Sequence, residues 1–186
     1  MSSFYDVDEL ANLGLKSFGT NVFISRKCSI YGAQNLSIGN NVRIDDFCIL
    51  SGNITIGSNI HISAYTALYG ALGIVLEDYT GISQRCTLIS ASDDFSGKYL
   101  VGPIHSDGDI HIIGGPIIIK CFAHICAHCV IFPNVTIGEG CVVGAMSMVR
   151  HSTEPWWMYA GIPIKKLKIR SNDMIERIKG YWEDKY

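Results

Sequence analysis

Two adjacent aspartates, Asp93 and Asp94, stand in the polar run Ser90-Ala91-Ser92-Asp93-Asp94-Phe95-Ser96-Gly97. A carboxylate in such a segment can hold an amino group in an attacking geometry or take its proton. The same residue types also build ordinary turns. Glu139, in Ile137-Gly138-Glu139-Gly140, has the same two readings. His128 can serve as a base, bond a thioester carbonyl or fill a structural role, and His105 and His111 are either substrate contacts or solvated side chains. Cys121, His124, Cys126 and His128 form a Cys-x2-His-x-Cys-x-His cluster with zinc-ligand types. Alternation along an extended chain sends Cys121 to the face opposite His124, Cys126 and His128, whereas zinc needs four convergent ligands, so no metal is expected. Lys165, Lys166 and Lys168 form a basic stripe after Ala160-Gly161-Ile162-Pro163, either a solvated face or a seat for phosphates.

What positions these residues is a six-residue period. A lead aliphatic recurs at Ile24, Ile30 and Leu36, then at Ile38, Ile44, Leu50, Ile56, Ile62 and Leu68, then at Leu76, Ile82 and Leu88. It returns at Ile119, Ile125, Ile131, Ile137, Val143 and Val149. Six residues suit neither an amphipathic helix nor simple strand alternation. They suit a parallel β-helix, each hexad a short strand and a turn with the aliphatic in the bore. The fifth position of each hexad is then a second, size-limited inward site. It holds Val42, Cys48, Ile54, Ile60, Thr66, Cys86, Ala123, Cys129, Val135, Cys141 and Ser147. Five of seven cysteines (Cys28, Cys48, Cys86, Cys129 and Cys141) fall there, which reads as compact apolar filler rather than disulfide or metal chemistry.

At 186 residues, 48% hydrophobic and 17% charged, the chain reads as one domain with ample core. A net charge of −2 without a basic block argues against nucleic acid as a partner. The acidic, polar start (Met1–Leu10) and the lack of a long apolar run argue against a signal peptide or membrane insertion, so a cytoplasmic location is expected. Residues 1–20 are expected to form an N-terminal cap, with a short helix between Tyr5 and Leu15. Residues 21–153 form the hexapeptide solenoid, interrupted by an excursion loop at 93–116, the usual place for function on a rigid scaffold. Residues 154–186 form an extension with a helix from about Asn172 to Lys185, its apolar face made of Met174, Ile175, Ile178, Tyr181 and Trp182. Trp156 and Trp157 are expected to pack the chain's exit from the solenoid.

The hexads, the loop, the ending Gly138-Glu139-Gly140-Cys141-Val142-Val143-Gly144-Ala145-Met146-Ser147 and the segment Tyr159-Ala160-Gly161-Ile162-Pro163-Ile164-Lys165-Lys166-Leu167 together resemble the hexapeptide-repeat acyltransferases. That resemblance implies an all-β, left-handed parallel β-helix with a protruding loop, a homotrimer, and acyl-coenzyme A along the groove between subunits. Phe4-Tyr5, the run from Arg43 to Gly52, Asp93-Asp94-Phe95-Ser96-Gly97 and the run from Val143 to Val149 are similar to the nucleotide-sugar N-acyltransferases of the anthrose and viosamine type. Those enzymes act on 4-amino-4,6-dideoxyhexoses. The likeness implies acetyl-coenzyme A as co-substrate, a dTDP-type amino sugar as acceptor, and a place in surface polysaccharide (O-antigen, lipopolysaccharide) synthesis. It maps two carboxylates near the reacting amine onto Asp94 and Glu139, with Asp93, Phe95 and His105 as substrate contacts. Lys165 and Lys166 become partners of coenzyme A phosphates, Ile162 and Pro163 neighbours of adenine, and Gly144 or Ala145 a backbone donor to the oxyanion. Around Cys121 and Cys126 the chain departs from these relatives, where His and Gly are expected.

Sugar O-acetyltransferases of the superfamily carry a histidine in this loop, in a Thr-His-Asp type motif; here Ser90–Asp94 holds none. The difference has a chemical reading. A hydroxyl, with a pKa not far below that of water at about 15.7, depends on a base of pKa about 6.5. An amine attacks a thioester unaided, and its zwitterionic adduct is acidic enough to lose a proton to a carboxylate or water. N-acyl transfer is therefore expected. O-acetylation with His105 or His128 as base is the alternative, and a non-catalytic scaffold is the alternative of another class.

Overall fold

The computed structural model describes residues 3–183, and side chains as far as residue 178. The chain is a left-handed parallel β-helix of stacked triangular coils, an exception to the usual right-handed crossover. One face stacks Ser17–Phe18, Leu36–Ile38, the second halves of Ile49–Ile56 and Ala67–Leu76, Ile117–Ile119 and Thr136–Ile137. The second face stacks Val22–Ile24, Val42–Ile44, Ile60–Ile62, Gly81–Ile82, His124–Ile125, Val142–Val143 and Trp157–Ala160. The third stacks Ser29–Tyr31, the first halves of the two long strands, Thr87–Ile89, Val130–Ile131 and Met148–Val149.

The period dictates this. Every lead aliphatic but Ile30, which lies half-buried near the open end, is buried in the bore. Tight corners between faces force left-handed backbone, which non-glycine residues adopt at a cost. Asparagine tolerates it best, and Asn21, Asn41 and Asn59 occupy it in successive coils, their amides bonded in a ladder. Tyr79, Phe122 and Trp156 continue that edge. Tyr79 stacks on Phe122 at 5.2 Å and Phe122 on Trp156 at 6.3 Å, so Trp156 packs the exit as expected.

Two boundaries differ from the sequence reading. Ser17–Phe18 already pairs in parallel with Ser37 and Ile38, and Trp157–Ala160 pairs in parallel with Val142–Val143, so coils begin before residue 21 and continue past residue 153. The first segment is too short to show a hexad. In the last, Tyr159 takes the buried place usually held by an aliphatic. Helix α1 (Val7–Asn12) is shorter than Tyr5–Leu15: Asp6 caps it in a reciprocal box with Glu9, and Leu10 seals the bore. Helix α2 (Met174–Glu183) starts two residues after Asn172, with Met174, Ile175 and Ile178 half-buried. The side chains of Tyr181 and Trp182, and an end at Lys185, lie outside the described residues. No helix among the described residues is long and apolar enough to cross a membrane.

The cysteines do more than fill space. At the edge between the second and third faces, each inward fifth position from Cys48 onward donates to a corner carbonyl: Cys48 to Ser63 O (3.3 Å), Thr66 to Ser83 O (3.1 Å), Cys86 to Cys126 O (3.1 Å), Cys129 to Gly144 O (3.1 Å) and Ser147 to Gly144 O (2.6 Å). Burial pushes the Cys28 and Cys48 thiols up to about 12 and about 11, so both keep their protons at neutral pH. The column requires a small donor, which is why Cys, Thr and Ser interchange there. Cys86→Ser should leave stability nearly unchanged. Cys86→Val should lower it by about 1–2 kcal/mol through the unpaired Cys126 carbonyl, read from the urea midpoint.

Candidate active site

The loop leaves the solenoid at the edge between the third and first faces. Ser90 anchors it, its hydroxyl donating to Tyr69 O and accepting from Leu72 N, and its carbonyl receiving Gly115 N–H at 3.0 Å. Ala91–Asp93 and Ile112–Gly114 then pair as an antiparallel ribbon, so the excursion has an ordered stem. Gly114 makes the stem possible: its φ is +156°, and a Cβ there would lie 2.3 Å from Ser90 O. The two aspartates have different employments. Asp94 accepts Ser96 N–H at 2.8 Å and meets His111 Nδ1 at 3.0 Å, while its own N–H donates to His111 O. The His111 bond first, then the Ser96 N–H, holds its carboxyl below the usual range. Asp93, half-buried beside it, has a carboxylate with no hydrogen-bond partner among the described residues. Phe95 is 73% exposed. With Ser92, Phe132, Asn134 and Arg150 it lines a groove of about 380 Å³.

A second groove, of about 270 Å³, crosses the outer side of the third face from its edge with the second face. His128, Met146, Met148, Ile162 and the same Phe132 line it. His128 is exposed there on left-handed backbone. Of the two amides expected to meet an oxyanion, Gly144 N–H is committed to Tyr159 O at 2.7 Å, whereas Ala145 N–H has no partner among the described residues. The corner above corrects Gly144: its amide closes the parallel ladder. On the same edge Ser83 Oγ lies 3.1 Å from His124 Nε2.

No family model matches the chain. A dTDP-4-amino-4,6-dideoxy-D-glucose acyltransferase of Escherichia coli is 37% identical over 177 residues, covering 94% of this chain and 92% of that one. The chain belongs to this acyltransferase family. AntD, an N-acyltransferase from Bacillus cereus, agrees in structure as a serine variant in complex with dTDP-4-amino-4,6-dideoxyglucose and coenzyme A: 49% identity, TM-score 0.95, 99% of each chain. Galactoside acetyltransferase in complex with coenzyme A shares the fold alone, at 18% identity, TM-score 0.58, over 90% of this chain and 73% of that one.

In this dTDP-amino-sugar acyltransferase family member, the expected site residues lie on three different edges. Asp93, Asp94, Phe95 and the half-buried His105 belong to the loop, and His128 and Ala145 to the second-to-third edge. Glu139 sits exposed on the first-to-second edge, its carbonyl receiving Trp156 N–H at 2.7 Å, so a single chain does not bring it to the loop. Lys166 is held by Glu154 at 2.7 Å, with its Nζ 3.8 Å from the Trp157 ring, while Lys165 is exposed beside Ile162 and Pro163. The cysteine–histidine cluster disperses: Cys121 donates to Glu77, His124 faces Ser83, and His128 lies in the groove. Sequence reading missed Ser83, because Ile82-Ser83-Gln84-Arg85 looks like any other turn hexad.

Proposed function

We propose that this acyltransferase moves an acetyl or similarly short acyl group from coenzyme A to the 4-amino group of dTDP-4-amino-4,6-dideoxyglucose. The observation that carries the reading is a spacing. AntD has been studied with dTDP ligands and coenzyme A as variants of one serine and one aspartate ten positions apart. Ser83 and Asp93 are this chain's one serine–aspartate pair, in that order, at that distance. Asp93, whose carboxylate is unpaired, is therefore the acid that holds the amine, and Asp94 shapes the turn beside it.

Ser83 and Asp93 lie beyond opposite edges of the third face, with the strand Thr87–Ile89, roughly 10 Å of extended chain, and a corner on each side of it between them. A site using both draws one from each of two neighbouring copies, which supports a homotrimer with its acyl-coenzyme A in the cleft between subunits. There Ala145 N–H meets the oxyanion, His128 lies along the thioester arm, Ile162 and Pro163 flank adenine, and Lys165 faces a phosphate. Lys166 joins it by exchanging Glu154 for phosphate. The product belongs to cytoplasmic assembly of a surface polysaccharide such as an O-antigen.

The test is coenzyme A release with dTDP-4-amino-4,6-dideoxyglucose, using acetyl- and 3-hydroxybutyryl-coenzyme A, the acyl donor bound in another AntD complex. Amine-dependent release is expected. Release only with a hydroxyl acceptor such as a galactoside would sink the reading. Coenzyme A at 100 times its dissociation constant should also stabilise the fold by about 2.7 kcal/mol, seen as a thermal shift.

A further inference from the structure

We propose that His124 is a positioning residue for the acyl transfer, accepting through the Ser83 hydroxyl the proton that the amino group loses as the amide forms. This rests on the placing of Ser83 at the amine. The geometry is that of a two-step relay, with Ser83 Oγ 3.1 Å from His124 Nε2. The ring is seated by the coil before it. His124 pairs with Gly81, and a Cβ at Gly81 would lie 2.5 Å from Nδ1 and 2.8 Å from Cε1, so only a glycine leaves room for the imidazole against the sheet. Neighbouring coils offer no comparable partner to their serine: Ser63, one coil earlier, has Gly81 rather than a histidine next to it in the following strand.

The surroundings keep the ring a base. Burial first, then the charges of Arg170 and His61, holds His124 below its ordinary value of 6.5, so it is neutral at pH 7. Arg170 follows the strand Lys165–Ile169, which pairs antiparallel with Trp157–Ala160, and is itself fixed by the Phe122 and Gly140 carbonyls at 2.9 Å. His61 lies beyond Gly81 with Asp45 at 2.7 Å, Cys126 is on the same coil, and Val142 is the apolar neighbour on the next. A neutral Nε2 accepts the Ser83 O–H and leaves the serine oxygen's lone pairs for the amine N–H.

The proton then has a complete route. As nitrogen adds to the thioester carbonyl, the N–C bond forms and the C=O electron pair moves to oxygen. The ammonium proton passes to Ser83 Oγ while the serine's own proton passes to His124 Nε2. Collapse re-forms the carbonyl and breaks the C–S bond, and the thiolate takes the imidazolium proton back through the same hydroxyl. The products are the amide and the free thiol.

The experiment compares kcat/KM against pH for wild type, His124→Gln and Ser83→Ala, with dTDP-4-amino-4,6-dideoxyglucose and acetyl-coenzyme A. Circular dichroism and the coenzyme A thermal shift confirm a folded, donor-binding protein, and His124→Asn substitutes if the glutamine variant fails them. Wild type should show an acid limb with an apparent pKa below 6.5. His124→Gln should lose that limb and about tenfold in kcat at pH 7, with KM for coenzyme A unchanged. A His124→Gln profile superimposable on wild type, with Ser83→Ala still impaired toward the amino sugar, overturns the relay and leaves the placing of Ser83 intact. Full activity and an unchanged profile in Ser83→Ala overturns both.

Discussion

Replacing Asp93 with alanine is expected to lower kcat/KM for the amino sugar by about 10- to 100-fold, and replacing Asp94 with alanine by much less. A hydrogen bond to a charged group contributes about 1.5–3 kcal/mol, and each 1.36 kcal/mol is a factor of ten. Asp93 has that contribution to give because nothing within the described residues uses its carboxylate. Asp94 does not: one oxygen receives Ser96 N–H and the other faces His111, which Tyr99 supports at 4.8 Å. KM for coenzyme A should not move in the Asp93 variant. In the Asp94 variant the loss should appear in the loop's resistance to proteolysis. The pH dependence of that turn follows in sign. A carboxylate whose folded pKa is depressed contributes above its unfolded value of about 3.9 and ceases to contribute as pH falls through the lower folded value, so the turn should open only below about pH 4. An Asp94 variant more damaged in kcat/KM than the Asp93 variant would refute this division of labour.

The fold was legible because the bore is built from one repeated decision. Lead aliphatics from Ile24 to Val149 and fifth positions from Val42 to Ser147 are assignable to the interior because a six-residue period admits one architecture, and all but the half-buried Ile30 are buried accordingly. The ends were not legible, since Ser17–Phe18 is shorter than a hexad and Tyr159 breaks the aliphatic rule. The cysteine column follows only in part from the spacing. Spacing shows that a small residue is needed there, but the corner carbonyls that make it a donor are visible only once coils stack.

The site was harder for a related reason. Sequence neighbours Asp93 and Asp94 look equivalent until the hairpin stem commits Asp94 to His111, seventeen residues away. Glu139 and the loop look close by motif, yet coil geometry puts them on different edges. His124 and Ser83 are 41 positions apart in sequence, and only parallel stacking across the loop insertion makes them partners. A serine in a turn hexad carries no signal of its own. Along the chain His124 falls into a metal-like cluster with Cys121, Cys126 and His128, whereas a β-helix groups residues across its coils.

The same stacking makes Leu88→Ala the most damaging of the conservative bore substitutions for catalysis. Leu88 is fully buried, in register with Leu68 on one side and Ile131 on the other, so truncation leaves a void between two coils rather than at an end. The expected cost is about 2–5 kcal/mol, against a total stability of about 5–15 kcal/mol for an ordinary domain. In a solenoid each coil is held chiefly by its neighbours, so the loss concentrates locally. The affected coil carries Ser83 at one edge and the Ser90 anchor of the loop at the other. A lower urea midpoint should therefore come with faster amide exchange at Thr87 and Ser90 than at Val42, whose coil lies on the far side of Leu68. Catalysis should fall more steeply for the amino sugar than for coenzyme A, because both groups assigned to the amine hang from this coil while Ile162, Pro163 and Lys165 do not. Ile30→Ala, at the half-buried open end, should cost less and leave the kinetics unchanged. Uniform exchange along all coils in Leu88→Ala, with both substrates affected alike, would show instead that the helix melts as one unit and that the local coupling between this coil and the amine site is wrong.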